Sequence, residues 1–333
     1  MKKSILVLCI ATLGLSACFK VETVTTEHPQ EIGFKAISSN ATKADAQLEG
    51  TLLTKDYSIY ASATQKNPEG TIENPAFFTD QQFQTEDATV SASSKYRAWD
   101  GTQAKPIYWP IGGGIIDFLA YALPTASYGT PAATYANETT DVASIVTFKD
   151  WDTYANQVDL LYAVNNGKTS ATDVKLSFNH AQALLVFQVK VNTADIITIN
   201  SVQIDGLLTK GTFSVDNSRN NLAASWSELV NEGNEAIPAG AITDKDNLGE
   251  AVTSTAEFSQ IGSSLLVPEQ PRLNFTISYL MGGKTMKYTY NEARGTWEMG
   301  KKYIYKLDMT LNEIILTEEV VDFVDASIPE IDL

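Results

Sequence analysis

The strongest constraint in this chain is a period of two. Leu273, Phe275, Ile277 and Tyr279 alternate with Asn274, Thr276 and Ser278. Met286, Tyr288 and Tyr290 alternate with Lys287 and Thr289, and Tyr303, Tyr305, Leu307, Met309 and Leu311 with a set that includes Lys306, Asp308 and Thr310. Leu185, Phe187, Val189 and Val191 repeat the pattern around Gln188 and Lys190. Successive strand side chains point to opposite faces, so each segment buries one face and wets the other. Half-wet strands are typical of antiparallel sheets in sandwiches or barrels. The run "IIDFLAYAL" at 115–123 is apolar on both faces and predicts a central strand. Turn formers punctuate these runs at Asn67-Pro68, Gly112-Gly113-Gly114, Asn165-Asn166-Gly167, Gly282-Gly283 and Arg294-Gly295. Met281-Gly282-Gly283-Lys284, between two alternating runs, predicts a hairpin. Helical signal is scarce. Ser225-Trp226-Ser227-Glu228 fits a capping box and predicts a short helix or turn.

The first residues read as an export signal. Met1-Lys2-Lys3 is followed by the apolar segment Ile5 to Leu15 and then Leu15-Ser16-Ala17-Cys18. A basic start, a short apolar stretch and small residues before a cut describe a secretory signal peptide over 1–17. The stretch is too short to span a bilayer, which takes roughly 20 residues. Leu-Ser-Ala-Cys looks like the bacterial lipobox, which makes Cys18 the lipidation site and the outer membrane a partner through its acyl chains. At ~0.8 kcal/mol per buried CH₂, two or three chains anchor stably where one is marginal. Cys9 leaves with the signal and Cys18 is capped, so the mature domains must stabilise themselves without disulfides.

Residues 18–31 read as an acylated polar tether. The stretch "NNGKTSATD" at 165–173 is polar and turn-rich, and it divides a first block, 32–168, from a second, 173–333. The expectation is an all-β protein with two antiparallel β-sandwich domains in tandem. The net charge of −16 argues against a nucleic-acid partner, whose recognition needs a basic face, and fits a soluble cell-surface domain.

Catalytic signatures are missing. The chain has two histidines, His28 in the tether and His180 in "FNHAQALLVF", where a packed histidine is expected. There is no nucleophile elbow, no H-E-x-x-H and no phosphate loop. "DKDNLGE" at 244–250 departs from a calcium loop at Leu248 and Thr255. No enzyme, metal or cofactor is therefore expected. Tyr108, Trp99, Trp109, Trp151 and Trp226 would form a sugar platform only if exposed, which makes surface glycan binding the alternative function.

Several segments, taken in order, resemble the fimbrillin family. They are the lipobox, the early strand "EIGFKAI", "AKPIYWPIGGGIIDFLAYALP", "QVDLLYAV", "VKLSFNHAQALLVFQVKV", "ITINSVQIDGLLTKGTF" and "WEMGKKYIYKLDMTLNEIIL". The resemblance implies a subunit of a type V pilus on a Gram-negative surface, an outer-membrane lipoprotein of two transthyretin-like domains, acting in cell adhesion. Its partners would be other pilus subunits and a glycan or host surface. It implies that proteolysis removes the N-terminal segment with its first strand, here Ile32, Phe34 and Ala36, and that a strand of the next subunit fills the groove. Cleavage in that family follows arginine, yet no Arg precedes Arg97. Either a different protease acts at Lys43 and Ala44, the candidate processing site, or the subunit is never cut and keeps its strand and lipid as an anchor or accessory subunit. The donor strand would come from the apolar C-terminal segment with Val321, Phe323, Ile328, Ile331 and Leu333, unless that segment folds back as the last strand of its own domain.

Overall fold

The structure is a computed structural model. It describes residues 30–38, 57–87, 94–110, 114–124, 133–136, 145–152, 159–169, 174–193, 196–216, 223–231, 241–242, 251–252, 257–261, 264–291, 294–311 and 313–323. Every regular element among them is a strand.

Seven strands of the first half close on themselves. They are β1 (Gly33–Ser38), β2 (Tyr57–Lys66), β3 (Ile72–Gln84), β4 (Tyr96–Ala98), β5 (Ile115–Pro124), β8 (Leu161–Lys168) and β9 (Val174–His180), in the ring order β1-β4-β3-β2-β5-β8-β9. The expected pairing was antiparallel throughout. The closing pair is parallel instead, with Phe34 opposite Val174 and Ser38 opposite Phe178. A strand from the start of the chain and one from the end of the unit can meet side by side without a tight turn between them. The interior alternates small and large groups: Ala61, Ala63, Ala120, Ala122 and Ala163 leave room for Phe34, Phe83, Phe118, Phe178 and Trp109. That mixture of sizes fills the taper of a small barrel.

The second half builds two sheets around one core. The first orders β16 (Ser259–Gln260), β10 (Ala183–Val191), β22 (Lys301–Met309) and β23 (Ile314–Asp322), with β17 (Leu265–Val267) also on β10. The second orders β14 (Ala241–Ile242), β11 (Ile197–Ile204), β19 (Phe275–Met281) and β20 (Lys284–Tyr290), with β15 (Ala251–Val252) also on β11. A small pair, β18 (Gln270–Pro271) and β21 (Thr296–Trp297), completes the unit. The alternating residues face inward as the period requires: Leu185, Phe187, Phe275, Ile277, Tyr303 and Tyr305 share one buried cluster. Phe187, Phe275 and Tyr305 stand 5.0–5.2 Å apart, and Trp297 donates its indole N–H to the Tyr305 hydroxyl at 2.9 Å. The hairpin predicted at 281–284 is present, with Met281 opposite Lys284. Gly282 and Gly283 have φ of +58° and +75°, which glycine adopts without steric cost and which matches the twist of the flanking strands.

A further sheet crosses from one half to the other. It orders β13 (Ala223–Val230), β12 (Lys210–Asp216), β7 (Ile145–Asp152) and β6 (Ala133–Ala136), so strands from before and after 165–173 hydrogen-bond to each other. Its Phe148, Phe213 and Val215 pack on Leu119, Tyr121, Leu123 and Tyr162 of β5 and β8. β5 is thus central, as its composition predicts: Ile116, Phe118 and Ala120 face the barrel interior while Leu119 and Tyr121 face this outer cluster. Burial and the charge of Glu269 push the Tyr162 hydroxyl up to about 12.

The segment 225–228 is strand rather than the predicted helix or turn. Trp226 pairs across with Phe213, their rings 5.3 Å apart, and its indole donates to the Ala181 carbonyl. Glu228 accepts a hydrogen bond from the Thr212 hydroxyl instead of capping a helix. Cross-strand aromatic packing outweighs a local capping pattern worth ~1 kcal/mol.

Candidate functional site

Among the described residues the chemistry-bearing groups do not form a reaction centre. His180 is 1% exposed and its Nδ1 lies 2.8 Å from Asp159 Oδ1, with the Tyr57 hydroxyl donating to the other carboxylate oxygen. An acid beside Nδ1 resembles the orienting pair of a hydrolase, but no nucleophile among the described residues hydrogen-bonds to the ring to complete it. His180 Nε2 is buried and meets no hydrogen-bond partner among the described residues. One face of the ring stacks on Phe323, centroids 3.6 Å apart. The pair therefore works as packing between β9 and the end of β23. Sequence reasoning placed His180 in a packed position and missed Asp159, which no motif marks.

Of the aromatics expected to form a sugar platform, Trp99 is half-buried. Trp109 is 5% exposed against Phe118, and Trp226 is tied to Ala181. Tyr108, next to Trp109 in the chain, is 46% exposed. No cluster of metal-ligating side chains is present among the described residues. The 244–250 segment, the side chain of Trp151, Cys18, Lys43 and Ala44 lie outside those residues.

The site with a distinct geometry is the seat of the first strand. Residues 30–32 pair with 107–109: Ile32 N–H donates to Ile107 O at 2.7 Å, and Trp109 N–H to Gln30 O at 2.9 Å. Gly33 and Phe34 then lie opposite Arg97 and Tyr96, and residues 34–38 run parallel to β9. Alternation sends Ile32 and Phe34 inward, both 0% exposed. The Phe34 ring meets Phe83 at 4.5 Å and Phe118 at 5.3 Å, both edge-on, in the arrangement aromatic quadrupoles favour. Ala36 pairs through its backbone with Leu176. On the rim, Glu31 Oε2 stands 4.0 Å from Arg97 Nε. β4 pairs with β1 over two residues and β9 over five, so the backbone pairing of β1 comes mostly from the β9 ladder.

The C-terminal segment is divided by the fold. Residues 314–322 form β23, paired with β22 from Lys301–Asp322 to Met309–Ile314. Val321 lies in that strand opposite Lys302 and is 37% exposed. Phe323 is buried with Leu184, Val186 and Leu266, and its N–H donates to Gly300 O at 2.8 Å. Both residues thus belong to the packing of their own chain in this structure. Ile328, Ile331 and Leu333 lie outside the described residues. At the closing end of β23, Lys301 reaches Asp322 at 2.5 Å, a hydrogen bond that raises the lysine above its usual value.

The profile of the fimbrillin-like family matches residues 19–322. This chain belongs to the fimbrillin-like family. The match spans both halves and every strand described above, and the family is a structural, non-enzymatic one. Among solved structures, a candidate cell adhesion protein from Bacteroides ovatus superposes with a TM-score of 0.55 at 16% identity, covering 90% of this chain and 99% of the other. A candidate cell adhesion protein from Bacteroides uniformis gives 0.46 at 17% identity over 88% and 98%. A fimbrial protein from Bacteroides vulgatus gives 0.45 at 14% over 88% and 99%. The first of these shares the fold along nearly the whole fimbrillin-like chain. No functionally curated protein matches it.

Proposed function

We propose that this fimbrillin-like chain is a structural subunit, stalk or anchor, of a surface pilus that acts in cell adhesion. It is exported as an outer-membrane lipoprotein acylated at Cys18 and joined to its neighbours by β-strand addition. Cleavage near Lys43–Ala44 releases residues 30–38, and a strand from another subunit takes their place between 107–109, β4 and β9. Blocks 32–168 and 173–333 act as two transthyretin-like units joined by the shared sheet. The donor is drawn from the residues beyond Phe323, with Ile328, Ile331 and Leu333 as its apolar side chains.

The observation that carries this reading is the seating of β1. It is the first strand among the described residues, its Phe34 and the preceding Ile32 fill two fully buried sockets, and the strand that holds it on one side spans three residues. Its departure would leave an apolar groove flanked by unpaired backbone, which is what an incoming strand needs for ladder hydrogen bonds and for register. Filling two such sockets contributes ~1.5–3 kcal/mol each, before any ladder bond is counted.

Peptide mapping of the native N-terminus tests this, comparing membrane fractions with surface material released by shearing. Chains that begin near Ala44 in sheared polymer support a processed subunit. Chains that begin only at acylated Cys18, all retained in the membrane, end the strand-exchange reading for this subunit.

A further inference from the structure

Tension on the two ends of this chain meets two different strand geometries. At the N-terminal end β1 runs parallel to β9, with Phe34 opposite Val174 and Ser38 opposite Phe178. A load that enters at Gly33 and leaves through His180 pulls these neighbours from opposite ends, so their ladder bonds and the buried Ile32 and Phe34 resist together. At the C-terminal end β23 runs antiparallel to β22, and Asp322 with Lys301 is the first pair to feel the load. Strands pulled apart from one paired end open pair by pair, and the ladder never resists as a whole. β23 is also lightly embedded. None of its nine residues is fully buried, and all its ladder pairs are with β22 at the end of the sheet order. Glu318 reaches Arg272 at 2.6 Å and Asp322 reaches Lys301 at 2.5 Å, but single ion pairs near the surface each add little.

The hold on the exit end of β23 comes from the next residue. Phe323 is 2% exposed, packs with Leu184, Val186 and Leu266, and stacks on the His180 ring at the end of β9. Its N–H donates to Gly300 O at 2.8 Å, and the Gly300 N–H donates to Gln182 O at 3.0 Å. Gly300, at φ +70°, thus ties the exit of the last strand to the two-residue link between β9 and β10. That link is itself fixed. Leu160 N–H donates to Gln182 Oε1 at 3.0 Å, and the Trp226 indole donates to Ala181 O at 2.6 Å. A lightly held strand therefore ends on one deeply held side chain, seated on the other half of the molecule. Without β23, β22 keeps its eight pairs to β10.

We infer that β23 is a tension-released strap and Phe323 its latch: under load Phe323 leaves its seat on His180 and Gly300, and β23 peels from β22 while β1 and both cores stay folded. The subunit then lengthens before it unfolds, and the strap closes again when the load falls. The inference rests on the pilus reading only in that load reaches the chain through its two ends. Its test is made on the single chain, so its failure leaves that reading standing.

Optical-tweezers measurements on residues 19–333, with handles fused at both ends, test this. The first step should be short and reversible, roughly 60 Å: the ten residues Ile314–Phe323 add up to ~3.6 Å each, and the attachment point moves along the ~30 Å of the strand. At constant load, Phe323→Ala should shorten the lifetime of the latched state on the order of a hundredfold, and Val321→Ser less than about threefold. The larger unfolding steps that follow serve as the internal control for folding. Residues 19–333 contain no cysteine, so Lys301→Cys with Asp322→Cys places a single disulfide across the exit pair. Oxidation should abolish the short step and reduction should restore it, which decides the matter even if Phe323→Ala does not fold. A first step on the order of 500 Å, the extended length of the whole second half, overturns the strap. So does a short step that persists in the oxidised form. A short step whose lifetime Phe323→Ala leaves unchanged overturns Phe323 as the latch.

Discussion

Replacing Phe34 by alanine tests the seat of the first strand directly. The side chain is 0% exposed, so its whole surface is transferred back to a cavity rather than to water. Its ring loses edge-on contacts with Phe83 at 4.5 Å and Phe118 at 5.3 Å, each pair worth ~0.5–1.5 kcal/mol beyond area. Phe→Ala at a closed core site costs about 3–5 kcal/mol. The site has little capacity to collapse, because Phe83 and Phe118 are themselves fixed by Phe78 and Trp109. The upper half of that range, about 4 kcal/mol, is expected. Urea unfolding of the mature chain, followed by tryptophan fluorescence, measures it as a shift in midpoint at constant slope. Ile315→Ala on the exposed face of β23, 48% exposed, is the control and should change stability by less than about 0.5 kcal/mol. A Phe34→Ala loss no larger than that of Ile315→Ala would refute the buried seating of β1, and with it the groove.

Other consequences follow from the same structure. Phe323→Ala should cost about 3 kcal/mol by thermal unfolding while Val321→Ser costs less than about 0.5, and the opposite order would place Phe323 outside the packed chain. Asp159→Ala removes the acceptor of both His180 and Tyr57 in a buried site and should destabilise by about 2–4 kcal/mol; an unchanged melting temperature would contradict the pair. Gly283→Val forces a β-branched residue to φ near +75° and should cost about 1–2 kcal/mol, seen as faster amide exchange confined to β19 and β20. Tyr162 titrates near 12 when folded against about 10 when unfolded, and burial raises Tyr305 in the same direction. Below pH 10 that difference costs nothing. Between pH 10 and 12 the unfolded chain ionises while the folded one keeps its protons, so the urea midpoint should fall across this window. Ultraviolet titration showing both phenols ionised at pH 10 in the folded protein would refute the burial.

The legible part of the site was its apolar pattern. Ile32 and Phe34 are two residues apart, so any strand there puts both on one face, and their size sends that face inward. Lys95, which lies across Gly33, is sixty-two positions later in the sequence and belongs to no motif. His180 and Asp159 are likewise joined by packing rather than by spacing. The helix or turn predicted at 225–228 was displaced because the capping pattern is local, while the strand there is held by Phe213 and Ala181 from elsewhere in the chain.

Alternation by itself determined that this chain is all β, which residues face inward, where the 281–284 hairpin turns, and that β5 is central with two apolar faces. Those properties depend on side-chain direction and backbone freedom within a few residues, and both repeat along the chain. Tertiary structure alone decided that seven strands close into a ring, that β1 runs parallel to β9, and that β7 and β12 join across the polar stretch at 165–173. Many pairings of the same alternating strands would bury similar apolar area. What separates them is how well small and large side chains interdigitate once the sheets curve, and that depends on residues far apart in sequence meeting in one core.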